Sequence, residues 1–356
     1  MGTRGIPANH GGFETFVESL APFLASQNLR VRVYCQKNSL LSTASVSEWQ
    51  GVQLVSIQPQ FKGALGTADF DFKSIMHVLK NPPDLVLVFG YNTALFCLLL
   101  KIKKIPFAMN MDGLEWKRKK WNLLFKIWFW LNEKAGGWLS NHLIADHPEI
   151  QKHLERFAAR SKISMIPYGA DVIKQANENL IHQFRELKSG CYGIFIGRPE
   201  PENHVLEIVR AFSQKKRNMH LVILGDYSSL PTAYQKQVTD CASQEVLFPG
   251  AIYDLEVVNA LLYYSGFYCH GHSVGGTNPS LIQAMAAGCR VIAHDNIFNR
   301  GILKDQAVYF ISETELAALL DDWVPLSPER RVEYPQLSST REINERYLSL
   351  IHSLGI

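Results

Sequence analysis

The chain has 356 residues, 47% of them hydrophobic, with 36 Lys and Arg against 33 Asp and Glu. That length accommodates two domains of ordinary size, and the composition excludes a disordered chain. A formal net charge of +3 gives no global attraction for a polyanion, so nucleic acid is not an expected partner and electrostatic effects must be local.

The first loop, GTRGIPANHGGFE, leads into a helix whose apolar stripe is Phe13, Phe16, Val17, Leu20, Phe23 and Leu24. Its glycines permit close backbone approach, and helix-start amides favour an anion or an oxygen-rich ligand, with Arg4 as an added charge. A tight turn without a ligand is the other reading. The G-x-G-x-x-G spacing of a dinucleotide site is missing. The polar N-terminus does not read as a signal peptide, and the longest apolar run, 93–100, is too short to span a bilayer.

Alternation of Leu29, Val31, Val33 and Cys35 with polar residues predicts a strand covered on one face. The apolar run 85–89 (LVLVF) suits a parallel strand buried on both sides, and 105–109 and 142–145 read as further short strands. A parallel sheet of this kind opens with an apolar strand feeding its first glycine loop, whereas this chain starts at the loop. A missing first strand is therefore expected; the alternative is a sheet that begins at Leu29.

The segment KRKKWNLLFKIWFWLNEK places Lys117, Arg118, Lys119 and Lys120 before a helix bearing Trp121, Leu124, Phe125, Trp128 and Phe129. Lys101, Lys103 and Lys104 precede it. Cations beside exposed aromatics suit an anionic membrane leaflet. Alternatively, Phe125, Trp128 and Phe129 form a core face and the lysines are simply solvated.

Residues 171–190 read as a linker or short helix, after which the strand–helix rhythm restarts. Strands are predicted at 193–196, 220–224, 246–248, 266–269, 290–293 and 308–311. Two successive runs of βα units predict an α/β chain with two doubly wound parallel sheets. The expected division is 1–170, a linker at 171–190, a second domain at 191–325, and a helical segment at 326–356 with the option of crossing back to the first domain. Ligands in such sheets sit beyond the carboxyl ends of the strands.

Two second-domain loops stand at such ends. In IGRPEPENH, Arg198 can clamp a phosphate through several directed hydrogen bonds, or pair on the surface with Glu200 or Glu202. In GHSVGGTNPSLIQAMAAG, Gly275 and Gly276 remove side chains, Thr277 offers a hydroxyl, and Pro279 suits a first helical turn. Free amides around Asn278, Ser280 and Leu281 would make a pyrophosphate site, compatible with a capped helix packed by Ala284, Met285 and Ala287. Six scattered cysteines fit reduced thiols in a cytoplasmic protein, and the twelve histidines show no metal-ligand spacing, so no metal is expected.

GTRGIPANHGGFETFVESLAPFL, NMDGLEWKRKKW, IPYGAD, IGRPEPENH and GHSVGGTNPSLIQAMAAG occur in that order across both halves. Together they resemble retaining glycosyltransferases of the GT-B fold, family 4, and more narrowly the bacterial branch with β-1,4-L-rhamnosyltransferases of polysaccharide biosynthesis. The resemblance implies two Rossmann-like domains facing across a cleft, the acceptor on the N-terminal side and the nucleotide sugar on the C-terminal side. Gly11 and Gly12 match the family's GG loop near the donor phosphates, and Arg198 matches the basic residue that neutralises the pyrophosphate. Asn203 stands where a lysine often follows. Gln283 stands where the second Glu of an E-x7-E pattern binds ribose hydroxyls, and the first Glu corresponds only loosely to 274–276. Asp112 falls where many relatives carry an active-site His, which implies a role in holding a hydroxyl or deprotonating the acceptor; an Asp-Gly turn is the alternative. Glu115 and Trp116 would line an acceptor groove, or Trp116 would be a core anchor.

The implied reaction moves L-rhamnose from dTDP-β-L-rhamnose to a lipid-linked glycan, with no cofactor or divalent metal, in a cytoplasmic protein peripheral on the inner face of the cell membrane. A ribose offers two vicinal hydroxyls to a carboxylate and a deoxyribose only one, so the amide of Gln283 suggests a thymidine-type donor. The alternatives are a nucleotide-sugar 2-epimerase of related fold, for which no cluster of carboxylates and His is evident, and a truncated copy that binds nucleotide sugar without turnover.

Overall fold

The computed structural model describes residues 1–8, 11–37, 46–111, 113–184, 187–227, 231–323 and 331–355. These divide into two units, one of residues 1–117, 121–168 and 340–356, the other of 118–120 and 169–339.

The first unit opens with α1 (Gly12–Ser26), then β1 (Arg32–Gln36), β2 (Val46–Trp49) and β3 (Val52–Ile57). β3 pairs parallel with β1 and antiparallel with β2. The β2–β3 hairpin, absent from the sequence expectations, turns on Gln50 and Gly51 at φ 49° and 78°, the positive values that a two-residue hairpin requires. There follow α2 (Gly63–Lys80), β4 (Val86–Phe89), α3 (Leu98–Ile102, after a 3-10 turn at Ala94–Cys97), β5 (Phe107–Asn110), α4 (Leu123–Leu139), β6 (His142–Ala145), α5 (Pro148–Leu154) and β7 (Ile163–Met165). β4 to β7 form a parallel sheet in chain order, as apolar runs fed by right-handed helical crossovers require.

β1 and β4 belong to separate sheets, and among the described residues no strand pairs with both. The opening residues supply backbone bonds to both: the Met1 amino group donates to the Leu87 carbonyl at 2.8 Å, Phe89 N–H to Met1 at 2.9 Å, and Gln36 N–H to Arg4 at 2.8 Å. Val17, Leu20 and Leu24 of α1 cover this region together with Phe89 and Ile144.

The second unit contains α6 (Asn179–His182), β8 (Tyr192–Ile196), α7 (Val205–Ser213), β9 (His220–Leu224), α8 (Ala233–Asp240), β10 (Val246–Gly250), α9 (Leu255–Tyr263), β11 (Phe267–His270), α10 (Pro279–Ala286), β12 (Val291–His294), α11 (Ile297–Leu303), β13 (Ala307–Phe310) and α12 (Glu313–Asp321). Its six strands are parallel in the order β10-β9-β8-β11-β12-β13. The chain winds outward from β8 to β10, returns beside β8 as β11, and winds the other way. The topological switch therefore lies between β8 and β11, where open α/β sheets form their ligand crevice.

Two expected boundaries change. Residues 171–190 are packed into the second unit instead of linking two bodies. Ile173 N–H donates to Ala286, the Tyr263 and Tyr264 hydroxyls donate to the carbonyls of Lys174 and Ala176, and Ile181 and Leu187 are buried. The segment 326–356 does not act as one piece. Arg331 donates to the Ala287 and Tyr263 carbonyls and the Tyr334 hydroxyl to Cys289, holding this stretch in the second unit. The last helix, α13 (Thr340–Ser353), belongs to the first unit: its apolar face (Ile343, Tyr347, Leu350, Ile351) joins Val17, Leu20 and Leu24 in the core. The Tyr347 hydroxyl accepts from Asn110 at 3.0 Å. The physical reason is the amphipathic period of α13, which leaves a stripe that only burial satisfies.

All six cysteines are free thiols, and among the described residues no helix is long and apolar enough to cross a membrane.

Candidate functional site

The loops that follow β8 and β11 lie at the switch point. β8 ends into Gly197-Arg198. A Cβ on Gly197 would stand 2.8 Å from the His272 ring, so glycine lets the two loops close on each other. Arg198 is exposed, and its guanidinium has no ion-pair partner among the described residues. The carboxylates offered as alternative partners are used elsewhere: Glu200 pairs with Lys120 at 3.1 Å and the buried Glu202 with Arg118 at 3.4 Å. Among the described residues, this cation at the carboxyl end of a central strand is left available to a ligand.

Asn203, expected to face the donor, is buried and spends its side-chain amide on the Arg198 carbonyl at 2.8 Å. It braces the turn that presents Arg198. The same short 3-10 turn fixes the second loop, because the Glu202 carbonyl accepts from both the amide and hydroxyl of Ser273.

After β11 the loop passes Gly275 at φ 134°, with no protein atom within 4 Å of where a Cβ would stand. Of the amides expected to hold a diphosphate, those of Ser280 and Leu281 are not free. Asn278 is the N-cap of α10, and its side-chain oxygen takes Ser280 N–H at 3.0 Å and the Ser280 hydroxyl at 2.7 Å. Leu281 N–H donates to the Asn278 carbonyl at 3.1 Å, its side chain is core, and Pro279 has no N–H. Self-capping by Asn supplies the acceptor that a ligand would otherwise provide to these donors. The amides of Gly275, Gly276 and Asn278 donate to no protein acceptor among the described residues, so the free donors lie in the loop before the helix. Thr277 is buried beside them. On the second turn of α10, half-buried Gln283 has a side-chain amide with no protein partner among the described residues.

Four histidines that sequence reading passed over gather at the same strand ends. His204 and His294 stack at 4.1 Å between ring centroids, and His270 and His272 at 4.6 Å, with His272 also against Phe195. Burial, then the charge of His294, lowers His270 to about 3. Burial, then His204, lowers His294 to about 4. Burial also lowers His272 well below the ordinary value, helped by His270, Arg118 and Arg198. The His272 Nδ1 and His270 Nε2 atoms are buried without a partner among the described residues. The signal was available: HGH and AHD both sit at strand ends. Among the described residues no group of three or more His, Cys, Asp or Glu side chains gathers as metal ligands.

In the first unit, Gly11 caps α1 and Gly12 begins it. The largely buried Glu14 carboxylate accepts from Arg4 N–H at 2.7 Å and Gly11 N–H at 3.1 Å, cinching the first loop. Asp112 lies outside the described residues. Glu115 and Trp116 are half-buried: the Glu115 carboxylate accepts from Trp121 at 2.9 Å, and the Trp116 indole donates to buried Glu133 at 3.1 Å, so Trp116 is an anchor. Burial works to raise Glu133, and His153, Trp116 and Lys134 overcome it, holding the carboxyl below its ordinary value. The basic cluster is divided. Arg118 and Lys120 are engaged by Glu202 and Glu200, Lys117 lies over the Trp116 ring, and Lys119 is exposed.

Comparison with known proteins adds to this geometry. Residues 1–171 match a domain of unknown function, DUF1972, and residues 178–333 match the family described as glycosyl transferases group 1. No curated protein matches the chain. Among solved structures, a sucrose-phosphate synthase from Thermosynechococcus elongatus superposes with a TM-score of 0.78 at 15% identity, covering 98% of this chain and 96% of that one. A UDP-forming α,α-trehalose-phosphate synthase from Burkholderia xenovorans, in complex with glucose-6-phosphate, has a TM-score of 0.75 at 11% identity over 99% and 98%. Anabaena HepE in complex with UDP has a TM-score of 0.70 at 13% identity over 98% of each chain. At such identities the likeness shows the fold, which is GT-B with Rossmann-like parallel sheets. The sheet, switch point and strand-end loops of the second unit all lie inside the range that matches glycosyl transferases group 1, in a chain of GT-B fold.

Proposed function

We propose that the chain is a retaining glycosyltransferase that moves L-rhamnose from dTDP-β-L-rhamnose to a lipid-linked glycan in cell-surface polysaccharide assembly, at the inner face of an anionic membrane. The observation that carries the glycosyl-transfer reading is the Arg198 guanidinium and the Gly275 and Gly276 amides, without partners among the described residues, in the loops after the two strands flanking the switch point. Positive groups fixed there suit a diphosphate that gains charge as it departs. In the proposed step the bond from the anomeric carbon to the diphosphate oxygen breaks, and the acceptor oxygen bonds that carbon on the same face. The acceptor proton goes to the leaving phosphate. The protein positions the reactants and stabilises the leaving charge, and Asp112 keeps the hydroxyl-holding role that the resemblance implies.

The donor base is proposed from Gln283. A UDP-forming synthase and a UDP complex stand among the similar folds, so the thymidine assignment rests on that side chain and its amide, without a partner among the described residues. Calorimetric titration with dTDP, UDP and GDP tests it: dTDP should bind most tightly, and Gln283→Glu should shift preference toward UDP. Tighter UDP or GDP binding by the parent protein overturns the donor assignment. Incubation with dTDP-L-rhamnose and membrane lipid extract tests the reaction. Sugar transfer, undiminished by EDTA, is expected; a released epimer or binding without turnover overturns it.

A further inference from the structure

The exposed apolar surface of the first unit is concentrated on three adjoining helices and does not coincide with the Lys117–Lys120 cluster. On α4 the outward positions Leu124, Ile127, Leu131 and Trp138 follow helical spacing and lie in solvent, Leu124 at 77% and Trp138 at 69% exposure. The next stripe is Leu95, Leu98 and Ile102 on the 3-10 turn and α3, again at helical spacing and exposed. Phe72 and Met76 of α2 continue it, with Phe72 edge-on to Phe96 at 5.6 Å. α4 is tied to the 3-10 turn by Asn132, whose side chain accepts Leu95 N–H, and by Trp128, whose indole donates to Asn92. A stripe that ordinarily seeks the core here faces outward on all three elements.

The charges of α3 and α4 bordering this face have one sign, and of the two acids on α2, Asp69 is paired with Lys73 at 2.8 Å and Asp71 is buried. Lys101, Lys103 and Lys104 are exposed at the end of α3, and Lys126 stands among the α4 apolar residues. Lys162, bonded to the Gly137 carbonyl beside Trp138, is close enough to Lys101 to have its own proton affinity lowered, after burial, by that charge. No Asp or Glu occurs between residues 93 and 104 or between 116 and 132, and Glu133 is buried. A protein partner would need a complementary apolar and acidic surface. A leaflet of anionic lipid supplies both as bulk properties: acyl chains for Leu124, Ile127 and Trp138, headgroups for lysines that extend beyond their own apolar stems.

We infer that the face of α2, α3 and α4 is an interfacial docking surface for anionic lipid, with Leu124, Ile127, Leu131 and Trp138 entering the headgroup boundary and Lys101, Lys103 and Lys104 holding the phosphates. This deepens the proposed function, because its biological sense rests on the lipid-linked acceptor, but docking itself needs neither donor nor acceptor.

The test uses the full chain and vesicles of phosphatidylcholine alone or mixed equally with phosphatidylglycerol, followed by co-sedimentation. Binding should require phosphatidylglycerol and weaken as salt rises. Lys101→Gln/Lys103→Gln/Lys104→Gln and, separately, Leu124→Ser/Ile127→Ser/Leu131→Ser should each weaken partitioning at least about tenfold. Both sets are exposed, so thermal unfolding and dTDP binding should match the parent. Equal binding to both vesicles, no binding, or parent-like partitioning by both variants overturns the inference. So does a dimer in sedimentation velocity that the serine variant dissociates, which would assign the face to a second copy. Vesicle binding with no sugar transfer would sink the proposed reaction and leave this surface standing.

Discussion

At the scale of single residues, the second unit separates cations that a sequence string leaves equivalent. Arg118 and Lys120 are committed to Glu202 and Glu200, while Arg198 has no ion-pair partner among the described residues. That commitment links residues about eighty positions apart and had no local signature. The position of Arg198 was legible, because a βα rhythm puts the residue after a buried strand at the ligand edge. Arg198→Ala should lose about 2–4 kcal/mol of transition-state stabilisation, roughly thirty- to a thousandfold in turnover, if it acts as other preorganised donors do. Steady-state kinetics with the parent fold checked by circular dichroism decides it, and unchanged turnover removes Arg198 from the site. The amides of Ser280 and Leu281 were misassigned for a reason present in the sequence: Asn before Pro-Ser is itself a capping signature.

At the scale of elements, the histidines at the ends of β11 and β12 make the second unit sensitive to acid. An unfolded histidine takes its proton near pH 6.5, whereas His294 waits until about 4 and His270 until about 3. The unfolded chain therefore binds more protons across that interval, and stability should fall as pH drops from about 6.5 through about 4. Differential scanning calorimetry across that range should show a declining Tm, with a shallower decline for His294→Gln. A Tm that rises on acidification would contradict the neutral, stacked arrangement. Elements themselves were readable where the period was pure: the expected strands in 85–89, 105–109, 142–145 and throughout the second unit correspond to β4 to β6 and β8 to β13. The β2–β3 hairpin and the three-residue β7 were missed, the first for want of an Asn-Gly turn and the second because it is shorter than one full alternation.

At the scale of the whole molecule, the first unit is discontinuous in sequence. Ile343, Tyr347, Leu350 and Ile351 complete its core, and burying four such side chains contributes roughly 6–12 kcal/mol, comparable to the entire stability of a domain. Residues 1–168 produced alone should consequently lack a cooperative thermal transition, and a peptide of 340–356 added in trans should restore one. A cooperative transition without the peptide would show that α13 is an accessory. Neither the amphipathic pattern of α13 nor the composition around it told which unit it would complete, since an apolar stripe specifies burial and leaves the partner open.

The return of α13 also bears on biosynthesis. Most chains finish their first domain while the second is still being made. Here the ribosome must have polymerised past Ser353 before the Met1–Tyr168 region can close its core, whereas residues 169–339 have all their parts earlier. The order of maturation is inverted relative to the order of synthesis. Until α13 arrives, the hydrophobic side of α1 is a nascent surface that waits, and a slow or interrupted translation of the final stretch would leave that surface as the place where chaperones engage.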